Sequence, residues 1–177
     1  YAGIIGIAQG LEVLLHAAQK LRDDSSIKIV LLGSGPEKEK LQDLKSKLSL
    51  NNVFFFDVVS KDKMPQVVAA YNAAVIPLKK LDLFKGAIPS KIFESLAMQK
   101  PILLGVEGEA KELFIDEGKC GLAFEPENAT DLADKIKILF FSPEACATYG
   151  KNARNYVAAK FDRNQLAQKF FDRLNSL

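Results

Sequence analysis

The sequence predicts an α/β fold: a doubly wound parallel sheet, Rossmann-like, followed by a helical C-terminal tail. Three observations lead there. Short β-rich runs alternate with helix-period patterns from Tyr1 to Pro126, the alternation that a parallel sheet with crossover helices requires. One of these runs, IKIVLLG (27–33), is continuously apolar, as a strand covered on both faces must be. From Asn128 onward the periodicity is helical only.

Taken in order, YAGII opens the chain as a strand. GLEVLLHAAQKLR follows as a helix, because Leu11, Leu14, Leu15, Ala18 and Leu21 recur at helical spacing. IKIVLLG is the second strand. GPEKEKLQDLKSKLSL begins with Gly-Pro and acidic residues, which favour a helix start, and then shows a 3.6-residue period. NVFFF is the third strand, KDKMPQVVAAYNA a short helix and AAVIPL the fourth strand. A short helix from Ser90 leads to KPILLG, the fifth strand; GEAKELFIDEG is helical and CGLAFEP is the sixth strand, closed by Pro126. The tail reads as three helices, with Ser142 and Asp162 as N-caps and Pro143 at a first helical position, where its missing N–H costs nothing.

Composition narrows the function classes. The chain has 177 residues, 48% apolar and 26% charged, so a packed core is expected rather than disorder. A net charge of +2 without an Arg/Lys stripe argues against a nucleic-acid partner. The most apolar stretch, VVAAYNAAVIPL (67–78), is too short to span a bilayer and is broken by Asn72 and Pro77. Cys120 and Cys146 stand far apart, without metal-ligand spacing or a disulfide framework, which suits a reducing compartment. With a single histidine, His16, mid-helix, neither a zinc site nor a nucleophile–base pair can be assembled. YAGIIGIAQG lacks the charged n-region of a signal peptide and an initiator Met, so no signal peptide is expected in it and Tyr1 reads as a strand already under way, as in a piece of a longer protein.

Parallel α/β sheets bind ligands beyond the carboxyl ends of their strands. Five loops qualify: GIIGIAQG, GSGPE, DVVSKD, LKKLDLFKGAIPSK and GVEGEAK. GIIGIAQG carries Gly3, Gly6 and Gly10 between a strand and a helix, so backbone N–H groups there can approach an anion. Its spacing is not the dinucleotide fingerprint, and GSGP lacks the Lys-Ser/Thr of a P-loop; the latter reads as a tight turn.

The stretch KGAIPSKIFESLAMQKPIL (85–103) is the richest. On a helix, Ile92, Phe93, Leu96 and Ala97 share one face, and Lys91 and Glu94 lie on the other. Pro89 and Ser90 frame the start, with Ser90 as N-cap. A capping box would need an acid at position 93, which is Phe. Glu94 therefore has no local capping task, and a Lys91–Glu94 surface pair would contribute only ~0.2–0.5 kcal/mol. Two readings stand: a solvated face with a Lys/Glu pair, or a helix start aimed at a phosphate with Glu94 beside a neutral polar ligand.

From YAGIIGIAQGLEVLLHAAQKL to KELFIDEGKCGLAFEPEN, the order and separation of these segments resemble the C-terminal, nucleotide-sugar-binding half of group 1 (family 4) glycosyltransferases of the GT-B fold. The IPSK variant is similar to a fucosamine-transferase-like subgroup that builds bacterial surface polysaccharide or lipopolysaccharide. The resemblance implies that residues 1–177 are the donor-binding domain of a two-domain, UDP-sugar-dependent, retaining hexosyltransferase. The acceptor-binding domain would lie in an absent N-terminal half. It implies a ribose contact for Glu94, a diphosphate framed by Pro89, Ser90 and Lys91 with Gly6 and Gly10, and a base beside Val58 and Val59. A first glutamate of the family motif, on the donor-sugar side, falls on Gly86, and the usual diphosphate-binding Arg and Lys fall on Ile4 and Gln9. No cofactor or metal is expected, no catalytic residue in this chain, and no transfer by the chain alone. A cytoplasmic location is expected, with contact to the inner face of the plasma membrane open through the missing half. Two rival functions share the fold: a nucleotide-sugar epimerase, and a non-catalytic flavodoxin-like interaction domain. The latter is disfavoured because GIIGIAQG carries no acidic cluster at the first strand's end.

Overall fold

The computed structural model describes residues 1–176. Its strands are β1 (Ile29–Leu32), β2 (Val53–Phe56), β3 (Ala74–Pro77), β4 (Ile102–Gly105) and β5 (Gly121–Ala123). Between and after them run α1 (Glu12–Lys20), α2 (Lys38–Lys47), α3 (Met64–Ala70), α4 (Lys91–Ala97), α5 (Glu109–Lys111), α6 (Ala129–Phe141), α7 (Pro143–Lys160) and α8 (Arg163–Asn175). Every strand pair is parallel, with Ile29 opposite Val53, Ala74 opposite Ile102, and Ile102 opposite Gly121. The α/β architecture and the helical tail are those read from the sequence.

Two differences concern the strands. The ladders form two groups, β1-β2 and β3-β4-β5, rather than one run of six. The opening segment, expected as a strand, pairs with Leu32 only through an isolated bridge at Ala2. It still hydrogen-bonds along β1: Tyr1 N donates to Val30 O (2.8 Å), Gly3 N to Leu32 O (2.9 Å) and Ile5 N to Ser34 O (2.8 Å). Glycines at positive φ on both segments, Gly3 (141°) and Gly33 (147°), interrupt the regular pleat. GSGP is thus more than a tight turn. A Cβ on Gly33 would stand 1.9 Å from Gly3 O, and one on Gly35 2.3 Å from Ile5 O, so only glycines let the first segment lie this close. Beyond the end of β3, Lys79 N also donates to Ala8 O (2.9 Å).

Two apolar clusters hold the layers. The first packs Leu11, Leu14, Leu15 and Ala18 of the α1 region against Ile29, Leu31 and Val53, with Leu132 and Ala133 of α6. The second packs Ile92 and Leu96 of α4 against Ile76, Ile102 and Leu104, and takes in Phe114, Ala153 and Val157. Phe114 sits where the expected helix departs from α-geometry: α5 widens into a π-helical stretch (Glu112–Glu117), with Gly118 N donating to Leu113 O. The wider turn accommodates the Phe114 ring, which meets Phe93 (5.6 Å between centroids), Phe161 (5.6 Å) and Tyr156 (6.3 Å). In the tail, Asp162 caps α8 by accepting from Gln165 N, as expected, whereas Ser142 occupies the cap position of α7 without a side-chain bond. Asn128 caps α6 with bonds from Thr130 N and Asp131 N. Along α8, Leu166, Phe170, Phe171 and Leu174 are exposed. No helix among the described residues is long and apolar enough to cross a membrane.

Candidate functional site

Four of the five sequence-predicted loops follow the C-termini of β1 to β4, while GIIGIAQG extends the opening segment that lies along β1, and α4 brings the most chemistry to them. Its apolar stripe behaves as the periodicity demands: Ile92 and Leu96 are fully buried, Phe93 and Ala97 half-buried. Burying that stripe against β3 and β4 leaves Glu94 exposed, with no hydrogen bond or ion pair among the described residues. Its carboxylate is free for a ligand.

Lys91 departs from expectation. It does not share a solvated face with Glu94 but folds back onto the opening segment. Its Nζ donates to the Tyr1 hydroxyl at 2.8 Å and lies 4.2 Å from the centre of the Tyr1 ring, close enough for a cation–π contact. The Tyr1 hydroxyl in turn donates to Ile4 O at 2.6 Å. Gly3 leaves room for the ammonium; a Cβ there would come within 3.1 Å of Nζ. Burial pushes the Lys91 amine down to about 8, against a smaller opposing pull from the Glu94 charge. Burial likewise pushes the Tyr1 phenol up to about 12, so Tyr1 stays a neutral hydroxyl at physiological pH.

Lys91 and Glu94 line one cleft, bounded by Tyr1 and Ala2, by Met64, Val68 and Tyr71 from the α3 region, and by the β3 side chains Ala74 to Ile76. At its floor, the buried Ser95 hydroxyl donates to Lys91 O (3.1 Å) and shares a 2.9 Å hydrogen bond with the Tyr71 hydroxyl. The arrangement offers a cation, a free carboxylate and an apolar wall, which are the means to hold a polar ligand that is part anion and part ring.

None of the other predicted residues lines this cleft. Ser90 stands at the cap position of α4 but makes no side-chain cap bond, because its own backbone is already helical (φ −57°, ψ −29°); its hydroxyl is exposed. Pro89 is half-buried, and its carbonyl accepts from Ile92 N, which closes the first turn. Gly6 precedes a 3-10 turn (Ile7–Gln9), and Gly10 ends it in the left-handed region (φ 55°), packed under the Lys79 stem. Val58 and Val59 lie just beyond β2, Val58 exposed and Val59 half-buried. Gly86 lies in an exposed loop with open space where a side chain would go. Ile4, where a cation was missed, projects to solvent and is 69% exposed. His16 is exposed on α1, away from the cleft.

Sequence reasoning passed over Tyr1, Met64, Val68, Tyr71 and Ser95 as site residues. Nothing in the spacing could have flagged Tyr1, whose partner is 90 positions away. Ser95 alone carried a signal, as a polar residue inside an apolar helix face.

Known proteins resemble this chain over nearly its whole length. The family described as glycosyl transferases group 1 matches residues 1–156. An Escherichia coli (strain K12) glycosyl transferase named for colanic acid biosynthesis, WcaI, is 26% identical over 174 residues, covering 97% of this chain and 41% of that relative. The chain thus spans about two-fifths of that relative's length. The Anabaena protein Alr3699/HepE, whose crystal structure holds UDP, superposes with a TM-score of 0.80 at 22% identity, over 98% of this chain and 49% of that one. The C-terminal domain of a group 1 glycosyl transferase family protein, LpcC from Francisella tularensis, superposes with a TM-score of 0.76 at 18% identity, over 92% of this chain and 86% of that one. At these identities the two structures show a shared fold.

Proposed function

This chain belongs to the group 1 glycosyl transferases, and from that premise we propose that residues 1–177 hold the donor of a UDP-sugar-dependent transferase while the rest of a longer protein holds the acceptor. The observation that carries this reading is the cleft lined by both the Lys91 ammonium and the free Glu94 carboxylate, on the helix that follows the β3 loop. Glu94 accepts from the ribose hydroxyls, Val58 and Val59 border the base, and Lys91 with Ser90, Pro89 and the Gly6–Gly10 loop receives the diphosphate. Gly86 lies on the donor-sugar side.

In this reading the reaction breaks the bond between the sugar's anomeric carbon and the diphosphate oxygen, and the chain's task is to stabilise the charge left on that oxygen. A positioned ammonium and backbone N–H groups do so without reorganising as charge develops. That design calls for no metal and no cofactor. Retention of configuration, a hexosyl donor, a role in bacterial surface polysaccharide and a cytoplasmic setting belong to the same proposal and rest on resemblance. Two facts support a second domain. The chain matches under half the length of WcaI and HepE, and α8 leaves Phe170 and Phe171 open to an apolar partner. Holding the acceptor in place supplies the proximity term, worth ~7–11 kcal/mol of the barrier, so residues 1–177 alone bind UDP without transferring sugar.

Ligand-observed NMR with UDP, paired with a transfer assay on this chain and on the full-length protein, tests both parts. Expected are UDP binding by both and acceptor-dependent transfer by the longer protein only. Transfer by the 177-residue chain would overturn the division of labour, and absence of UDP binding by either would overturn the donor reading.

A further inference from the structure

We propose that Tyr1 is a positioning residue for the Lys91 ammonium, whose hydroxyl and ring face hold that cation beside the glycine loop for the diphosphate. The inference rests on the donor reading above and adds a residue that acts through Lys91.

The geometry has three parts. The Tyr1 hydroxyl accepts from Nζ at 2.8 Å, and the ring covers the ammonium at 4.2 Å. The same hydroxyl donates to Ile4 O, which anchors it two residues before Gly6. A glycine at position 3 leaves the space in which Nζ sits. One of the three ammonium donors is therefore engaged, and among the described residues the other two have no partner and no carboxylate forms an ion pair with Lys91. A cation drawn out of water without a counter-ion is costly, and an anionic ligand would remove that cost. The titratable groups around it are the Tyr1 hydroxyl, the Tyr1 amino group of this chain (which burial and then the Lys91 charge push down to about 5, leaving it neutral in this range), Glu94 on its own helix and Tyr71 beyond α3, while β3 presents only Ala74, Val75 and Ile76. With the amine titrating near pH 8, a bound diphosphate holds the proton on, so UDP binds best below that pH and more weakly as pH rises through it.

The decisive variant is Tyr1→Phe, which keeps the ring and removes the acceptor. An accepted hydrogen bond favours the charged amine, so its loss moves the Lys91 titration to lower pH. That is read without nucleotide by NMR of 13Cε-labelled lysine. UDP affinity near neutral pH falls about two- to tenfold, as for one hydrogen bond, while uridine affinity holds. Measured above about pH 7, where the second phosphate ionisation (about 6) is complete, the decline of UDP affinity begins earlier than in the unaltered protein. In a Lys91→Met background, Tyr1→Phe has no further effect on UDP, because the coupled partner is gone. An unmoved amine titration, or a Tyr1→Phe effect that persists in Lys91→Met, overturns the positioning role while UDP binding leaves the donor reading standing. Failure of the unaltered protein to bind UDP overturns the donor reading and the phosphate role together.

Discussion

The start of α4 and the loop before it carry the same charge in sequence and treat it in opposite ways. In residues 79–86, Lys80 pairs with Glu125 at 2.7 Å and Lys85 with Asp82 at 2.7 Å, and all four side chains are half-exposed or more. These pairs raise the pKa of Lys80 and of Lys85 through hydrogen bonds to their carboxylates, yet solvent-screened pairs of this kind contribute little to stability. A few residues on, Lys91 is turned inward, paired with a neutral hydroxyl, and its pKa moves the other way. Neutralised surface charge makes a soluble loop. On the donor reading proposed above, the half-buried charge without a carboxylate partner is where a ligand's charge would be received.

Breaking the inward lysine has the largest expected effect. Lys91→Met weakens UDP binding by about 10- to 100-fold, the range of ~1.5–3 kcal/mol for hydrogen bonds to charged groups, while uridine binding barely changes. The residual affinity also loses its sensitivity to salt. The same variant raises the melting temperature at neutral pH. Lys91 holds its proton less tightly folded than unfolded, so between about pH 8 and the usual lysine range of about 10.4 the unfolded state binds more protons, and this group's contribution to stability rises with pH. The gain from Lys91→Met therefore shrinks as pH climbs through that window, which thermal melts at several pH values will follow. A stabilising loss of function would separate Lys91 from a merely structural tie.

Glu94→Gln comes next. An exposed carboxylate without protein partners leaves fold stability unchanged when neutralised. UDP and uridine affinities should fall by a common factor, at most ~1.5–3 kcal/mol, since both ligands carry the ribose. Calorimetry with the two ligands checks this, and equal affinities of variant and unaltered protein would return Glu94 to a solvated surface. The smallest effects are expected on the other side of the comparison: Lys80→Ala and Lys85→Ala should each leave the melting temperature and UDP affinity nearly unchanged, within about twofold in binding. A large loss at Lys85 would move the diphosphate site toward Gly86.

Of the residues lining the cleft, the sequence alone points to Lys91 and Glu94, whereas Gly6, Gly10, Val58, Val59, Gly86, Pro89 and Ser90 do not line it. The apolar stripe of α4 and the exposure of Glu94 follow from 3.6-residue spacing alone, and the loops beyond strand C-termini follow from alternation. Ser90 was read correctly as a position and wrongly as a cap, since capping needs an extended backbone and Ser90 is already helical. The opening strand was overread because its hydrophobic pattern says nothing of the positive φ at Gly3 and Gly33 that interrupts its pleat.

By itself the sequence determined the strands and helices after the opening segment, how they alternate, and which end of the strands carries the loops, because these depend on local periodicity and turn chemistry. Only the tertiary structure decided where the charge of Lys91 resides. A lysine side chain has too many rotamers for its direction to follow from its neighbours in the chain. Its partner Tyr1 is brought to it by β1, β3 and the close glycine contacts between the opening segment and residues 33–35. Contacts made across 90 residues leave no mark in spacing, and here they turn a surface lysine into the half-buried cation of the cleft.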